Sequence, residues 1–572
     1  MRHQVRHRVE AALAGLQQAG VLPEGVLPAV VIERPRDKSH GDFSTNAAMV
    51  LARLARMKPR DLAERVVAAL PDAAGFIANC DIAGPGFINF RLTETALQGV
   101  VDVIEKAGAE YGRSTLGGRR RVQVEFVSAN PTGPMHVGHG RGAVIGDALA
   151  SILSWAGFQV EREYYINDAG AQVKTLGRSV LLRYLELSGR QVEIPAGCYP
   201  GEYVSELARA LRERDGDSWL TVAALAPTDA WEVPRPVLDF AIDQVLSMIR
   251  DDLARLNIRF DTWYSERGLH EQGGVERVLE HLRQAGLIYQ GVLEPPKGKK
   301  PEDWEERPQT LFRATAFGDE VDRPLQKSDG SYTYFAGDIA YHWDKAQRGY
   351  DELINVWGAD HGGYVKRVVA ALKALTGRDD LLTVLLMQMV NLTRDGQPVR
   401  MSKRAGTFVT LRDVVEEAGP DAVRFLFLTR SAGSTLDFDL KRAVEKSNDN
   451  PVFYVQYAHA RICSVQRQRE EQGWLPVDGD LGTLVLPAEM DLIRLLDQFP
   501  EVVEGAAVAR EPQRVPYYLG EVAAAFHGYY NQNRILVEDP ALRGARLSLC
   551  TAVRRVLANG LNLLGVSAPE RM

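Results

Sequence analysis

The sequence predicts an α/β core preceded by a small mixed α+β module and followed by an all-helical region. Three observations predict it. Alternating apolar residues over Arg120 to Ser128, helical apolar spacing from about His136 to Gly157 and a strand pattern over Phe158 to Ile166 spell one β-α-β unit. From about Ala443 onward the periodicity is almost wholly helical. At 572 residues the chain is long enough for about two to four domains of roughly 100–200 residues each.

In chain order, residues up to about Gly112 read as the mixed module, with a helix over Pro59 to Leu70 and a strand-like finish at Gly86 to Leu92. Turn-rich Tyr111 to Gly118 marks a boundary. In the first strand Val122, Val124 and Phe126 alternate with polar neighbours until Asn130 to Gly133 breaks the run, and Val144, Ala148, Leu149, Ile152 and Leu153 carry the helix after it. Leu176 to about Lys327 is mostly helical and holds a polar, proline-bearing segment, Glu294 to Gln309, read as an exposed loop; the whole stretch is taken as an insertion in one α/β domain. Strand signals return at Tyr332 to Phe335 and Leu353 to Trp357, extending the same sheet. The expected regions are therefore 1–115, 116–442 with an insertion near 190–327, and 443–572.

Composition excludes several classes. Hydrophobic residues at 45% and charged residues at 25% match a globular chain. No apolar stretch reaches the roughly 18 residues of a membrane span, and Arg2, Arg6, Arg8 and Glu10 make the start an amphipathic surface helix, not a signal peptide. Cys80, Cys198, Cys463 and Cys550 lie too far apart for a CxxC pair, so no zinc ribbon is expected and a reducing cytoplasm fits. A net charge of −7 argues against a surface coated in nucleic acid and leaves room for a local basic path.

The strongest local signal is His136-Val137-Gly138-His139, directly after a strand and a Pro/Gly turn, where a helix begins. A helix start offers unpaired N–H groups to phosphate, Gly138 lets a nucleotide approach the backbone, and His136 and His139 share one face. By itself HxxH also reads as a metal pair or two surface histidines; HExxH is absent, and Gly140 and Arg141 follow instead. A second cluster, Arg400-Met401-Ser402-Lys403-Arg404 followed by Ala405-Gly406-Thr407, suits a mobile cationic loop that folds over a triphosphate. Alone it reads as a solvated basic loop.

Together the two clusters resemble the HIGH and KMSKS motifs of class I aminoacyl-tRNA synthetases. The first lies in Ser128-Ala129-Asn130-Pro131-Thr132-Gly133-Pro134-Met135 running into His136-Val137-Gly138-His139. Further segments resemble the arginyl-tRNA synthetases: Val124 to Pro131, Tyr165-Ile166-Asn167-Asp168-Ala169-Gly170, Lys327 to Gly330, Tyr334 to His342, Asn450 to Arg461 and the terminal Pro569-Glu570-Arg571-Met572. Two departures stand out: Arg400 replaces the first lysine of KMSKS, keeping charge but changing geometry, and Arg404 replaces its final serine. Pro295 to Pro301 is also longer than the family usually carries there.

The resemblance implies a Rossmann-type catalytic domain, an N-terminal domain that meets the tRNA elbow through Lys38 to Asn46, and an α-helical anticodon-binding domain. It implies ATP-dependent activation of L-arginine, transfer to the 2′-hydroxyl of the terminal adenosine of arginine tRNA, and activation that waits for bound tRNA. His136, Gly138, His139, Met401, Ser402 and Lys403 would hold ATP, with His136, His139 and Lys403 catalytic and Mg²⁺ bound mainly through the triphosphate. Glu125, Asn130, Tyr334 and Asp338 would bind arginine, since paired carboxylates suit a guanidinium fork; apart from the resemblance Glu125 reads as an outward strand residue and Tyr334 as core. Asp360 and His361 fit either the substrate end of a strand or a surface loop. Tyr454, Tyr457, Arg461, Tyr529, Asn531 and Arg534 would contact tRNA, with Tyr517, Tyr518, Tyr530 and Asn533 nearby, although tyrosines at helical spacing also read as core. A monomer is the family default. A nucleotidylyltransferase or a synthetase-like binding protein without activity are the competing readings.

Overall fold

A computed structural model describes the chain except residues 72, 227–231, 294–305, 400–408 and 475–478. Its centre is a sheet of five parallel strands: β1 (Arg121–Glu125), β2 (Gln159–Ile166), β3 (Thr262–Ser265), β4 (Glu352–Gly358) and β5 (Leu382–Met387), in the order β5-β4-β1-β2-β3. β1 lies beside β4, which follows it by more than half the catalytic region, so the strand order reverses there. In open parallel sheets such a switch opens a crevice outside the carboxyl ends of the two strands.

Helix α1 (Val137–Trp155) follows β1 and lies unusually close to it, because Gly146 faces Phe126: a Cβ at 146 would stand 2.2 Å from the Phe126 ring. Helix α2 (Tyr334–Gln347) precedes β4. Its start corrects the strand expected over Tyr332 to Phe335. Thr333 caps the helix, its hydroxyl accepting from the Ala336 N–H, and only Tyr332 keeps a single strand bridge, to Gln326. A two-residue alternation over so short a run yields to a threonine cap leading into Ala336-Gly337-Asp338-Ile339-Ala340.

The stretch after Leu176 also differs from the helical reading. It contributes β3 to the central sheet and builds an antiparallel sheet from Ile288–Gly291, Gln309–Phe312 and Arg323–Gln326. Each of these runs is 4 residues long, too short to display an alternation. Most of the proline-bearing segment lies outside the described residues, and Gln309, assigned to that loop, is instead buried in a strand.

The N-terminal region pairs the strands Phe43–Thr45, Phe87–Leu92 and Ile77–Ala83 against helices that include Arg2–Gln18 and Glu94–Ala107. The C-terminal region is helical, from Pro451–Glu471 to Pro540–Leu563. The two ends of the chain meet: Gln98 donates to the Leu484 carbonyl at 3.0 Å, and Asn559 to those of Gly108 and Tyr111 at 3.1 and 3.0 Å. No helix among the described residues is long and apolar enough to cross a membrane.

Candidate active site

The chain leaves β1 under strain. Val127 and Ser128 both take left-handed backbone, φ 68° and 41°, a conformation that costs a β-branched residue most. Ser128 is held there by its hydroxyl, which donates to Glu125 Oε1 at 2.9 Å and accepts from the Tyr165 N–H at 3.2 Å. Beyond the turn, His136 caps α1 and the two histidines cap each other: His136 Nδ1 accepts from the His139 N–H, and His139 Nδ1 from the His136 N–H. The rings stack with centroids 3.6 Å apart. Because each Nδ1 accepts, the ring proton of the neutral form sits on Nε2, where an imidazole donates to a phosphate oxygen. Gly138 sits against this pair, a Cβ there meeting His136 Cε1 at 3.0 Å.

The basic cluster Arg400 to Thr407, with Met401, Ser402 and Lys403, lies outside the described residues. The chain that follows it returns to the histidines: Thr410 bridges to His136, and the Leu411 N–H donates to the Met135 carbonyl at 2.8 Å. Arg141, one turn into α1, is buried and donates to the carbonyls of Gln388 and Ser431 at 2.8 and 3.0 Å, tying the helix to the end of β5; burial lowers its pKa to about 10.

Carboxylates crowd the far side of the crevice. Asp338, on α2, accepts from the Tyr364 hydroxyl at 2.5 Å. Burial first, then the nearby charges of Glu266 and Glu125, push its pKa up to about 7 against the hydrogen bond from Tyr364. Glu266 is buried at the start of the short helix Glu266–Glu271, and its Oε2 has no hydrogen-bond partner among the described residues. Gly337 brings α2 close to it: a Cβ there would stand 3.6 Å from Glu266 Oε1. Asp168 fastens this corner, accepting from the Ser265 hydroxyl at 2.6 Å and the Arg267 N–H at 2.8 Å. Tyr165 lies among them all: burial, then the charges of Glu266, Asp338, Glu125 and Asp168, raise its phenol far above the ordinary value.

Glu125 is 5% exposed and already paired, its Oε2 accepting from Lys345 Nζ at 2.5 Å. A buried chain continues beneath the pocket: Lys345 donates to Asn355 Oδ1 at 3.0 Å, the Asn355 amide donates to His342 Nε2 at 2.8 Å, and His342 Nδ1 donates to the Asp338 carbonyl at 2.8 Å. Burial first, then Lys345, lowers the His342 pKa to about 3, so the ring is neutral and this pattern of donors holds. Asn130 donates to Gln172 Oε1 at 2.8 Å. Tyr334 is 65% exposed, which removes the core reading. Asp360 and His361 follow β4 in exposed turns, 3.7 Å apart.

The structure thus brings Glu125 near Asp338 and places Asn130 in the loop between β1 and α1 and Tyr334 at the start of α2. The sequence reading missed Glu266, Lys345 and Tyr364. Glu266 has a faint signal, an acid directly after a Ser cap at a strand end; the other two have none. Among the described residues no group of three or more His, Cys, Asp or Glu is placed to hold a metal.

In the C-terminal helices Phe453, Tyr457 and His527 stack in succession, with ring centroids 5.7 and 5.6 Å apart, and Tyr454 lies 4.7 Å from His527. Arg461 covers Tyr530 at 4.5 Å and reaches His527 and Asn531 at 3.2 and 3.5 Å. Tyr529 does not join them. It is 2% exposed and donates to the buried Glu489 at 2.9 Å, so it is core, because its side of the helix faces inward one residue before Tyr530 turns out. Tyr518 is likewise core, and Arg534 is exposed apart from the cluster.

A parallel sheet whose first strand feeds an HxGH helix start, with Thr410 and Leu411 after the basic cluster returning to that start, is the arrangement of a class I aminoacyl-tRNA synthetase. Three family models match along the chain: "Arginyl tRNA synthetase N terminal domain" over residues 3–92, "tRNA synthetases class I (R), catalytic domain" over 102–190 and 240–450, and "DALR anticodon binding domain" over 455–572. Arginine–tRNA ligase of Magnetococcus marinus is 60% identical over 580 residues, covering 100% of each chain, and that of Paracoccus denitrificans 52% identical, covering 99% of each. The Thermus thermophilus arginyl-tRNA synthetase structure shares the fold at TM-score 0.75, with 24% identity over 100% of both chains. The chain belongs to the arginyl-tRNA synthetase family.

Proposed function

We propose that the chain activates arginine with ATP and passes it to the 2′-hydroxyl of the terminal adenosine of arginine tRNA, at the carboxyl edge of the central sheet. The observation that carries the amino-acid assignment is the crowding of Asp338, Glu266, Glu125 and Asp168 around Tyr165, where Lys345 is committed to Glu125, Arg267 lies 4.0 Å from Asp168 and His270 3.8 Å from Glu266, so that four carboxylates face two fixed cations and one histidine. A pocket with that surplus of negative charge favours a cation, and a guanidinium offers five donors in a rigid fork. Asp338 and Glu266 take the guanidinium, Glu125 and Asn130 complete the pocket at the β1 end, and exposed Tyr334 lies over the ligand.

His136, Gly138 and His139 take the nucleotide and its α-phosphate, and Met401, Ser402 and Lys403 the pyrophosphate side. The arginine carboxylate attacks the α-phosphorus, the bond from the α-phosphorus to the bridging oxygen breaks, and pyrophosphate leaves while imidazole N–H groups face the developing charge. The tRNA hydroxyl then attacks the adenylate carbonyl and AMP departs. Mg²⁺ would enter on the triphosphate oxygens, which hard cations prefer.

Phe453, Tyr454, Tyr457, Tyr530, Arg461 and Asn531 form the surface for unstacked anticodon bases. A monomer and the cytoplasm complete the reading, the latter supported by the free thiols of all four cysteines. Arginine-dependent ATP–pyrophosphate exchange, assayed without tRNA, with cognate tRNA and with tRNA oxidised at its terminal ribose, tests the reading. Exchange with arginine that requires tRNA of either kind is expected. Exchange that proceeds equally with lysine overturns the pocket, and full exchange without tRNA overturns the tRNA requirement.

A further inference from the structure

Residues 191–239 fall between the two stretches that match the catalytic-domain model, and nothing assigns them a role. Their helix Glu202–Asp215 buries Val204, Leu207, Ala208 and Leu211, and packs on the helices Ala171–Glu186 and Arg235–Arg255. Tyr203, in its first turn, reaches out of this packing to the loop between β1 and α1. The Tyr203 hydroxyl donates to the Thr132 carbonyl at 2.7 Å. Its ring lies so near Gly133 that a Cβ there would stand 3.0 Å from the hydroxyl and 3.1 Å from Cζ. At its own base Gly201 makes room, since a Cβ at 201 would meet the ring at 2.6 Å.

The loop it holds has few other supports. The Tyr164 hydroxyl donates to the Ala129 carbonyl at 2.8 Å, Asn130 meets Gln172, and downstream the Met135 carbonyl accepts from Leu411. Between these anchors run Thr132, Gly133 and Pro134, so the Tyr203 contact at the Thr132 carbonyl is one of the few that set the course of the chain into the helix start at His136. Upstream, the left-handed Val127 and Ser128 favour relaxation of the loop, which the Tyr203 contact opposes.

We propose that Tyr203 is a positioning residue for adenylate formation: by holding the Thr132 carbonyl it sets where the His136–His139 helix start meets the α-phosphate of ATP. This rests on the reading of that helix start as the ATP site. Asn130, the pocket residue nearest this contact, keeps its own side-chain partner in Gln172, so the larger loss falls on ATP.

The test uses the full chain with Tyr203→Phe, which removes one hydroxyl, and Tyr203→Ala, with His139→Ala as the control on the site. Exchange is measured with arginine and tRNA saturating and ATP varied, then with arginine varied. Tyr203→Phe is expected to lower kcat/KM for ATP about 3- to 10-fold, the loss of one neutral hydrogen bond, with the arginine KM within about twofold of the parent. Tyr203→Ala falls further, and the phenylalanine restores part of that loss. A Tyr203→Phe protein that melts with the parent and keeps its ATP parameters overturns the inference, as does an equal loss toward ATP and arginine. Full exchange by His139→Ala overturns the ATP reading itself, whatever Tyr203 does.

Discussion

Asp338 makes the pocket sensitive to pH. Its carboxyl pKa is pushed up to about 7, chiefly by burial. An acid raised above its unfolded value favours folding most below the unfolded pKa, and that contribution is lost as pH rises through about 7. Arginine binding runs the opposite way, because a guanidinium pairs with the carboxylate and not with the acid. The arginine KM should therefore fall about tenfold between pH 6 and pH 8, since an acid with pKa near 7 goes from mostly protonated to mostly ionised over that range. Asp338→Asn should bind arginine weakly with a flat profile, and a steep profile in that variant would move the titration elsewhere. Glu266 carries the complementary prediction. Glu266→Gln should raise the arginine KM by about 10- to 150-fold, the worth of a charge-assisted hydrogen bond of roughly 1.5–3 kcal/mol, while the ATP KM stays within about twofold. An unchanged arginine KM with kcat intact removes Glu266 from the pocket.

At the scale of elements, the helix Pro420–Phe427 acts as a clasp. Its Arg424 is 0% exposed and donates to the Leu564 and Leu256 carbonyls and to Asp147 Oδ2, each at 2.6 Å. Two of these acceptors close the carboxyl ends of helices, Arg235–Arg255 and Pro540–Leu563, where a cation meets the negative dipole end; the third lies on α1. Gly565 makes the convergence possible: its φ is +65°, and a Cβ there would stand 2.4 Å from Arg424 Cζ. Gly565→Ala should cost about 1–3 kcal/mol through backbone strain and more if the guanidinium loses a partner, read as a lowered midpoint in denaturant unfolding. An unchanged midpoint would show that the last turn repacks freely.

Across the whole molecule the buried core runs without a break from the N-terminal helices through the sheet to the C-terminal helices. The helix Glu94–Ala107 turns Leu97, Val101 and Ile104 inward and packs against Pro540–Leu563, so the ends of the chain complete each other. A chain cut near residue 445 should lose anticodon discrimination and also expose these apolar faces. Low soluble yield and a broadened thermal transition by circular dichroism are the expected outcomes. A monodisperse fragment that retains exchange at the parent rate would show that the catalytic region stands alone.

The β-α-β unit and the His136–His139 helix start were legible in the sequence because periodicity, cap and turn are local, each fixed by residues a few positions apart. The same reasoning failed at Tyr332 to Phe335 and over the short strands after Leu176, where runs of about four residues carry no period. It placed Glu125 and Asp338 together only through family resemblance, and it left Tyr529 between a tRNA contact and the core because helical spacing does not say which face is buried. Lys345 and Tyr203 were decided by the tertiary structure alone, and Glu266 by it beyond the faint signal of an acid after a Ser cap. Their meaning lies in what pairs across the sheet, Lys345 beneath Glu125, Glu266 beside Gly337, Tyr203 against Thr132, and burial and partners at that distance follow from packing, not from sequence neighbours.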